Sequence, residues 1–311
     1  MKKQLSCRLL LVLTIFLAAS SSCLHAGTPQ GIDGRVPMLV TVDWLAEHLN
    51  DPSLVLLQIG ERKDFDKGHI PGAQFLEYES ISTPHGQGLM LELPPVEQLV
   101  SVFEKLGVSN GSHIILYFGT NWVTPTTRVY WTLDYLGLGD RTSILNGGLV
   151  AWDASHHPMS TQVRQPAKGS IKPSPRKEIL ADATWVDAHL NRPNVTLIDA
   201  RTHEFYTGSE SDGNPRSGHI PGASNLPYLE VIDQDNNKFK SPDALRELFL
   251  TAGLKPGNTM VSYCHIGQRA TALYFAAKML GYEAKMYDGS WEDWSHRQDL
   301  PIVAGELPNK K

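Results

Sequence analysis

The sequence predicts an α/β protein made of two copies of one domain, each with a parallel sheet covered by helices on both faces. Two observations lead to this prediction. Short blocks recur in the same order in the two halves of the 311-residue chain, and strand-like and helix-like segments alternate within each half. The length also favours about two domains, and the 41% of hydrophobic and 20% of charged residues are ordinary for a soluble globular protein.

Four blocks carry the internal repeat. They are GHIPGA at 68–73 and 218–223, WLAEHLNDP at 44–52 matched by WVDAHLNRP at 185–193, GVSNGSHIILYF at 107–118 matched by GLKPGNTMVSYC at 253–264, and NGGLVAW at 146–152 matched by DGSWEDW at 288–294. A single six-residue identity could arise by chance. Four blocks in the same order indicate a duplicated domain.

The composition changes between the two copies. The segment RQPAKGSIKPSPRK at 164–177 is rich in Pro, Lys and Ser and has no periodicity, which is typical of a linker. We therefore predict an N-terminal domain at 35–160, a linker at 161–178 and a C-terminal domain at 179–305. Each domain has a normal size for one hydrophobic core.

The second copy shows the alternation of elements most clearly. The predicted order is a helix at 185–190, a buried strand at 194–200 that ends near Asp199, a strand at 259–263, a helix at 270–280 with Gly281 at its C-cap, and a strand at 284–287 followed by a turn. Strands that alternate with helices form a parallel sheet with right-handed crossovers.

The N-terminus has the features of a secretory signal peptide. Lys2, Lys3 and Arg8 precede an apolar run at 9–19 and a tract of small residues, so we assign residues 1–26 to the signal. The run is short for a membrane span. We expect an exported protein, either periplasmic or secreted.

The signal peptide can end in two ways. Cleavage after Ala26 is favoured, although Leu24 is large for such a site. The alternative is a lipoprotein acylated at Cys23, which Ser20 disfavours because that position usually holds Leu. Association with a membrane is expected only if Cys23 carries lipid.

The cysteine count and the net charge limit the kinds of site and of partner that this protein can have. The cysteines are Cys7, Cys23 and Cys264, so the mature body holds only Cys264 and forms no intramolecular disulfide. A lone thiol is either a buried, inert residue or a reactive one. The net charge of −5 gives no reason to expect nucleic acid as a partner.

Cys264 lies where a predicted strand gives way to a helix that starts at Ala270. Ligands of open parallel sheets bind beyond the carboxyl ends of the strands. Gly267 permits the positive φ of a tight turn, whose successive N–H groups bind anions together with the helix N-terminus, and Arg269 adds a positive charge. We therefore expect a partly ionised Cys264 at the floor of an anion cradle.

The first copy serves as an internal control for this site. It has Phe118 where the second has Cys264, and FGTNWV in place of CHIGQR. Arg201 aligns with Gly60 or with Glu61, depending on a one-residue gap. Because the cysteine and the arginines are missing together, we predict a catalytic C-terminal domain and a structural N-terminal domain.

These motifs together resemble the tandem-domain rhodanese (thiosulfate sulfurtransferase) family over residues 35–305. FDKGHIPGA at 65–73 is similar to the family's N-terminal signature, DGSWEDW at 288–294 to its C-terminal signature, and CHIGQR at 264–269 to its six-residue active loop. The resemblance implies two rhodanese-like domains, each a five-stranded parallel sheet flanked by helices, of which the first is inactive.

The resemblance also implies the roles of the site residues. Cys264 would carry a persulfide, and Arg201 and Arg269 would bind the anionic substrate, with a surface salt bridge of Arg201 to Asp199 or Glu204 as the alternative. Gly267 would contribute through the backbone cradle, and His265 would either donate a hydrogen bond or cap the loop. We expect Trp291 and Trp294 to pack at the domain interface. His69 and His219 should be structural hydrogen-bonding residues, because both copies have them.

The expected reaction moves the sulfane sulfur of thiosulfate to cyanide or a thiol, without a cofactor or a metal. Three alternatives stay open. A 3-mercaptopyruvate sulfurtransferase tends to have small neutral residues after its cysteine, unlike His265 and Arg269. A cysteine phosphatase has Arg six positions after its cysteine, where this chain has Ala270. A sulfur carrier or redox-sensing binding protein without turnover would have the same loop.

Overall fold

The computed structural model describes residues 36–84, 86–119, 122–211 and 213–305. The predicted signal peptide at 1–26 and its two alternative ends lie outside these residues. Within the described ranges, no helix combines the length and the apolar character that crossing a membrane requires.

The first domain contains a five-stranded parallel sheet in the order β1-β5-β4-β2-β3. Its strands are β1 (Leu39–Val40), β2 (Leu54–Ile59), β3 (Gln74–Phe75), β4 (His113–Phe118) and β5 (Thr142–Leu145), and its α-helices are α1 (Val42–His48), α2 (Arg62–Lys67), α3 (Val96–Lys105), α4 (Thr124–Tyr135) and α5 (Gly148–Ala154). A 3-10 helix at Tyr78–Ile81 follows β3.

The second domain repeats this sheet in the order β6-β12-β11-β7-β8 and adds a two-stranded hairpin. Its strands are β6 (Leu180–Ala181), β7 (Val195–Asp199), β8 (Ser224–Asn225), β9 (Ile232–Asp233), β10 (Lys238–Phe239), β11 (Thr259–Tyr263) and β12 (Ala284–Tyr287), and its α-helices are α6 (Ala183–Ala188), α7 (His203–Thr207), α8 (Pro242–Thr251), α9 (Ala270–Met279) and α10 (Ser290–His296). The two matching strand orders confirm the duplicated parallel-sheet fold.

The predicted helix at 185–190 begins and ends earlier than its sequence block. The carboxylate of Asp182 accepts a hydrogen bond from the backbone N–H of Trp185 at 2.7 Å and caps α6. Thr41 caps α1 in the same way through the N–H of Trp44. The repeated Trp therefore lies in the first turn of each helix, and the helix starts two residues before it.

The two domains share one hydrophobic core, which is centred on α4 and α9. The rings of Tyr130 and Phe275 meet edge to face with centroids 4.7 Å apart, and the hydroxyls of Thr127 and Thr271 lie at 2.7 Å. Each domain also has its own cluster on the other face of its sheet. The domains are therefore packed as one body along this helix pair.

The prediction that Trp291 and Trp294 lie at the domain interface is wrong. Both belong to the outer cluster of the second domain, whose members all come from that domain. The indole N–H of Trp294 donates to the carbonyl of Pro301 at 2.9 Å, as that of Trp152 does to Pro158 in the first domain. These tryptophans close the outer core of each copy.

The histidines of the two GHIPGA turns have the structural role expected of them. The ring of His69 stacks on Phe65 with centroids 3.9 Å apart, and that of His219 stacks on Tyr206 at 3.8 Å. Each Nδ1 is hydrogen-bonded to the carbonyl of the residue on which its ring stacks. The same turn is therefore fixed in the same way in both domains.

The segment between the domains is a packed strap. It holds no helix or strand at 161–176, yet its backbone is bonded to the first domain. The N–H of Gly169 donates to Glu104 at 2.8 Å, and that of Ser174 donates to Leu136 at 3.0 Å. Ile171 is buried in the shared core. The exact boundaries of 161–178 stay a prediction, but the path of the strap along α3 and α4 limits how the domains can move.

Candidate active site

The loop from Cys264 to Arg269 joins β11 to α9 at the carboxyl end of the second sheet. Its base is closed by the hydroxyl of Ser262, which donates to the carbonyl of Ala270 at 3.1 Å. Cys264 is fully buried and belongs to the core that both domains share. The loop thus holds the cysteine between the end of a central strand and the start of a buried helix.

Gly267 gives the loop its shape. Its φ is +76°, a left-handed conformation that glycine adopts without strain. A Cβ atom at this position would lie 2.5 Å from the carbonyl oxygen of Asp288. Both the dihedral angle and the close approach of the backbone therefore require glycine here.

The loop presents a series of backbone N–H groups that have no protein partner. Within the part of the chain that the structure describes, the N–H groups of residues 266–270 donate to no carbonyl and no side chain. Buried N–H groups are normally paired, so such a series at a helix N-terminus is suited to an anionic ligand. This arrangement is the one that the sequence predicts for the anion cradle.

The N-terminus of α10 fixes the backbone of Cys264. The N–H of Cys264 donates to the hydroxyl of Ser290 at 3.2 Å, and the N–H of Trp291 donates to the Cys264 carbonyl at 3.0 Å. Ser290 has φ +53°, which is uncommon for a residue other than glycine. Its hydroxyl also donates to the carbonyl of Tyr287 at 2.8 Å. These bonds hold Ser290 in its strained conformation and, through it, the backbone of Cys264.

Arg201 follows β7 and is buried beside the loop. Its guanidinium makes a two-pronged ion pair with Asp199, with Nη2 at 2.6 Å from Oδ2, and it donates to the carbonyl of Gly218 at 2.6 Å. It also lies over the ring of Trp291 at 4.3 Å. The structure shows the ion pair with Asp199, but the pair is buried and does not lie at the surface as the sequence led us to expect. A role of Arg201 in substrate binding stays a prediction.

Arg269 lies at the solvent side of the loop and contacts the buried ring of His265. Nη1 of Arg269 is 3.2 Å from Nδ1 of His265. Because arginine only donates, Nδ1 must accept, which places the proton of a neutral His265 ring on Nε2. Arg269 and Ile266 are the partly exposed residues of the loop, so a donor would approach from their side. Arg269 also lies over the ring of Tyr228, at 5.6 Å from its centre.

The first domain contributes to this loop, which the sequence analysis did not predict. Arg128 of α4 is buried, and its Nη1 donates to the carbonyl of Gly267 at 2.9 Å and to Asp288 at 2.5 Å. The amide of Gln268 donates to the hydroxyl of Thr124 at 3.0 Å. The one signal in the sequence was a single charged residue within the otherwise uncharged stretch TPTTRVYW at 124–131.

Comparison with known proteins identifies the class to which this fold and loop belong. The model of the rhodanese-like domain matches residues 41–155 and again residues 182–297. The chain therefore belongs to the rhodanese-like family, as a tandem member, and to its sulfurtransferases.

The chain is similar to several curated members of this family. It is 33% identical over 285 residues to the sulfur carrier protein TtuD of Thermus thermophilus, a match that covers 86% of this chain and 97% of that protein. It is 32% identical over 275 residues to a thiosulfate sulfurtransferase of Azotobacter vinelandii, with coverage of 86% and 97%. It is 29% identical over 276 residues to the 3-mercaptopyruvate sulfurtransferase of Escherichia coli, with coverage of 85% and 96%.

Solved structures show the same architecture. The crystal structure of SseA, a 3-mercaptopyruvate sulfotransferase from Escherichia coli, superposes with a TM-score of 0.73 at 28% identity, over 82% of this chain and 99% of that one. A structure of EanB in complex with ergothioneine superposes with a TM-score of 0.76 at 19% identity, over 88% of this chain and 71% of that one. The second likeness concerns the fold alone.

Proposed function

We propose that this protein moves the sulfane sulfur of thiosulfate to a nucleophilic acceptor through a persulfide on Cys264. The observation that carries the proposal is the position of Cys264 at the start of a loop whose N–H groups at 266–270 have no partner among the described residues. A ring of N–H donors stabilises a negative charge as it develops on sulfur. The tandem-rhodanese membership supports the same chemistry.

The reaction is a double displacement. The Cys264 thiolate attacks the outer sulfur of thiosulfate, the sulfur–sulfur bond of the donor breaks, and sulfite leaves with the electron pair. Cyanide or a thiolate then attacks the terminal sulfur of the persulfide, and Cys264 leaves as the thiolate. The two steps balance without an external oxidant or reductant.

The choice of thiosulfate rests on the charge beside the loop. Arg269 is the partly exposed cation at its mouth, and His265 is held against it at 3.2 Å. A basic wall favours a dianion such as thiosulfate over a monoanionic 2-oxo acid. Arg128 acts further back, because its bonds to Gly267 and Asp288 hold the loop in place.

Mass spectrometry after incubation with thiosulfate tests the proposal. The native protein is expected to gain one sulfur atom on Cys264, and Cys264→Ser is expected to gain none while keeping its fold and melting temperature. Sulfite should then be released continuously when cyanide or a thiol is present. Sulfur transfer by the Cys264→Ser variant would show that another group is the nucleophile.

The same assay separates thiosulfate from the two other functions found among the relatives. A large excess of pyruvate release from 3-mercaptopyruvate over sulfite release from thiosulfate would identify the former as the donor. A persulfide that forms but passes its sulfur to no small acceptor would identify a carrier that delivers to a protein.

We also propose that the protein is exported. The proposal rests on the charged, apolar and small-residue order at 1–26. N-terminal analysis of the mature protein tests it: a start at Gly27 supports cleavage after Ala26, an acylated Cys23 supports the lipoprotein, and an intact Met1 excludes both.

A further inference from the structure

A buried arginine of the first domain binds one peptide of the active loop and fixes its orientation. Nη1 of Arg128 donates to the carbonyl oxygen of Gly267 at 2.9 Å. That oxygen belongs to the peptide that joins Gly267 to Gln268, which is trans. Because the C=O and N–H bonds of a trans peptide point in opposite directions, the N–H of Gln268 points away from Arg128.

The orientation of this peptide decides what the loop offers to an anion. The N–H of Gln268 belongs to the series at 266–270 that has no protein partner among the described residues. Glycine adopts many combinations of φ and ψ, so Gly267 by itself does not fix which way the peptide faces. A peptide turned over would present its carbonyl oxygen in place of the N–H, and the partial negative charge of that oxygen repels an anion.

The guanidinium of Arg128 is held from several sides. Its Nη1 also donates to the carboxylate of Asp288 at 2.5 Å, and its Nη2 donates to the carbonyl of Leu91. Its Cζ lies 4.4 Å from the centre of the Trp131 ring. Since Asp288 balances its charge, the arginine acts on the loop mainly through the direction of its hydrogen bond to Gly267.

We propose that Arg128 is a positioning residue, which keeps the N–H of Gln268, and not the carbonyl of Gly267, turned towards the sulfur donor. The inference rests on the proposed function for the identity of this anionic ligand. Arg128 acts through the peptide and not by touching the donor. Because the N–H group is oriented before the donor arrives, binding does not have to turn the peptide over. The first domain thus takes part in the chemistry of a loop that lies in the second.

Two variants of α4 separate this role from a general loss of contact between the domains. Arg128→Met keeps an unbranched side chain of similar length but removes its hydrogen-bond donors. Asp134→Asn is the matched control, because Asp134 is also buried on α4 and binds the second domain through the hydroxyl of Tyr274 at 2.7 Å and the ammonium of Lys278. Both partners lie on α9, beyond the active loop. Both variants are expected to lower the melting temperature.

The experiment uses the Cys264→Ser protein, in which thiosulfate binds without reacting. Isotope-labelled protein is titrated with thiosulfate, and NMR follows both the affinity and the amide resonance of Gln268, which is expected to shift when its N–H gains an acceptor. Adding Arg128→Met is expected to weaken binding about ten- to a hundred-fold and to abolish this shift even at saturation. Arg128→Lys, which can still donate to the Gly267 carbonyl, should keep the shift. Adding Asp134→Asn should change neither the affinity nor the shift.

The outcomes distinguish the inference from the proposed function. Weaker binding by Arg128→Met with the Gln268 shift retained at saturation would show that the arginine contributes only its charge, which overturns the inference. An equal loss of affinity in Asp134→Asn would assign the effect to domain packing, which also overturns it. If native protein gains sulfur on Cys264 but the Gln268 resonance never moves, the inference fails and the proposed function stands. The expected shifts without any sulfur gain would refute the proposed transfer and leave Arg128 as a positioning residue of an anion-binding loop.

Discussion

The two domains share a strand order but differ at the positions that surround Cys264. The register of the sheets fixes the equivalence, because Gln58 pairs with Tyr117 as Asp199 pairs with Tyr263. Each of these tyrosines accepts a hydrogen bond from the N–H after the histidine of its GHIPGA turn. Two residues further on, Arg201 therefore corresponds to Gly60 and not to Glu61.

At the end of the central strand, one residue is smaller in the second domain than in the first, and the residue beside it is larger. In the first domain, Phe118 occupies the place of Cys264, and a Cβ atom on Gly148 would lie 2.6 Å from its ring. In the second domain, the small cysteine leaves room for Ser290 at the equivalent left-handed position. The serine hydroxyl then binds the N–H of Cys264. The same backbone thus holds a packed aromatic ring in one copy and a positioned thiol in the other.

The charge beside the loop differs as well. Gln58 is fully buried, and neither of its amide atoms has a partner among the described residues, whereas Asp199 is bonded to Arg201. The first domain thus lacks both the cation and the carboxylate that holds it. The comparison shows that a rhodanese-like sheet keeps its fold without these charges. We predict that the chemistry needs Cys264, its anchoring serine and the ion pair together.

Reciprocal contacts join the two copies. Oδ1 of Asn146 accepts the N–H of Phe239 at 3.0 Å, and Oδ2 of Asp288 accepts the N–H of Leu93 at 3.2 Å. The second contact is next to the active loop, where Asp288 also binds Arg128. The first domain therefore holds the site from outside even though its residues 35–160 include no cysteine.

The largest effect is expected from moving the nucleophile to the first domain. We predict that Phe118→Cys with Gly148→Ser, made in the Cys264→Ser protein, restores no sulfur transfer. A thiol at position 118 would lack the ion pair of the second domain, because Gln58 and Gly60 stand at the positions equivalent to Asp199 and Arg201. Sulfite release and a mass spectrum after incubation with thiosulfate check the prediction.

The control for this transfer is the same double substitution in the protein that keeps Cys264. It should gain one sulfur atom, at Cys264 only. A second sulfur at position 118 would show that the backbone loop is sufficient for the chemistry and that the ion pair of the second domain is dispensable.

The sequence was sufficient for the parts of the molecule that depend on local pattern. The repeated blocks predicted the duplicated sheet, and the glycine after the strand end predicted the turn at Gly267. Contacts between the domains were out of reach, because nothing local in TPTTRVYW indicates which residues of the other copy its side chains will meet. The placement of Trp291 and Trp294 was wrong for the same reason.

Arg201 shows a further limit of the sequence. A one-residue gap in the alignment of the two copies leaves Gly60 and Glu61 as possible equivalents of Arg201. Only the register of the sheets identifies Gly60 as the equivalent residue. Its neighbour Asp199 lies two residues away in a buried strand end, so the sequence allowed an ion pair without showing that it is sealed from water.

The next largest effect concerns the buried ion pair. We predict that Arg201→Ala lowers the free energy of unfolding by about 3–5 kcal/mol, because it leaves the Asp199 carboxylate buried and unpaired. The double variant Asp199→Gln with Arg201→Gly, which installs the residues of the first domain, should be less destabilised than Arg201→Ala. Urea unfolding of the three proteins measures the difference.

The folded fraction of Arg201→Ala also tests the substrate-binding role. If Arg201 binds the donor, Arg201→Ala should need a higher thiosulfate concentration to reach half of its maximal rate of persulfide formation. An unchanged donor dependence would place Arg201 outside the binding site, as a residue that supports the loop by holding Asp199 and stacking on Trp291.

The smallest expected effect concerns the loss of stability at acid pH, to which a buried histidine of the first domain contributes. His113 begins β4, and its equivalent at the start of β11 is Thr259. Burial lowers the pKa of His113 from 6.5 to about 4. Between these values the unfolded chain binds a proton that the folded chain does not, so this contribution to stability is complete above pH 6.5 and declines as the pH falls towards 4.

His113→Thr installs the residue of the second domain. We predict that the free energy of unfolding of this variant falls less between pH 6.5 and pH 4 than that of the native protein. The substitution also removes the 2.9 Å bond to the hydroxyl of Ser143 and the ring contact with Trp44, so the variant should be less stable at neutral pH. The decisive quantity is therefore the difference between the unfolding free energies at pH 7 and pH 4.5, measured for each protein in urea. Equal losses in the two proteins would show that His113 is protonated as readily in the folded domain as in the unfolded chain.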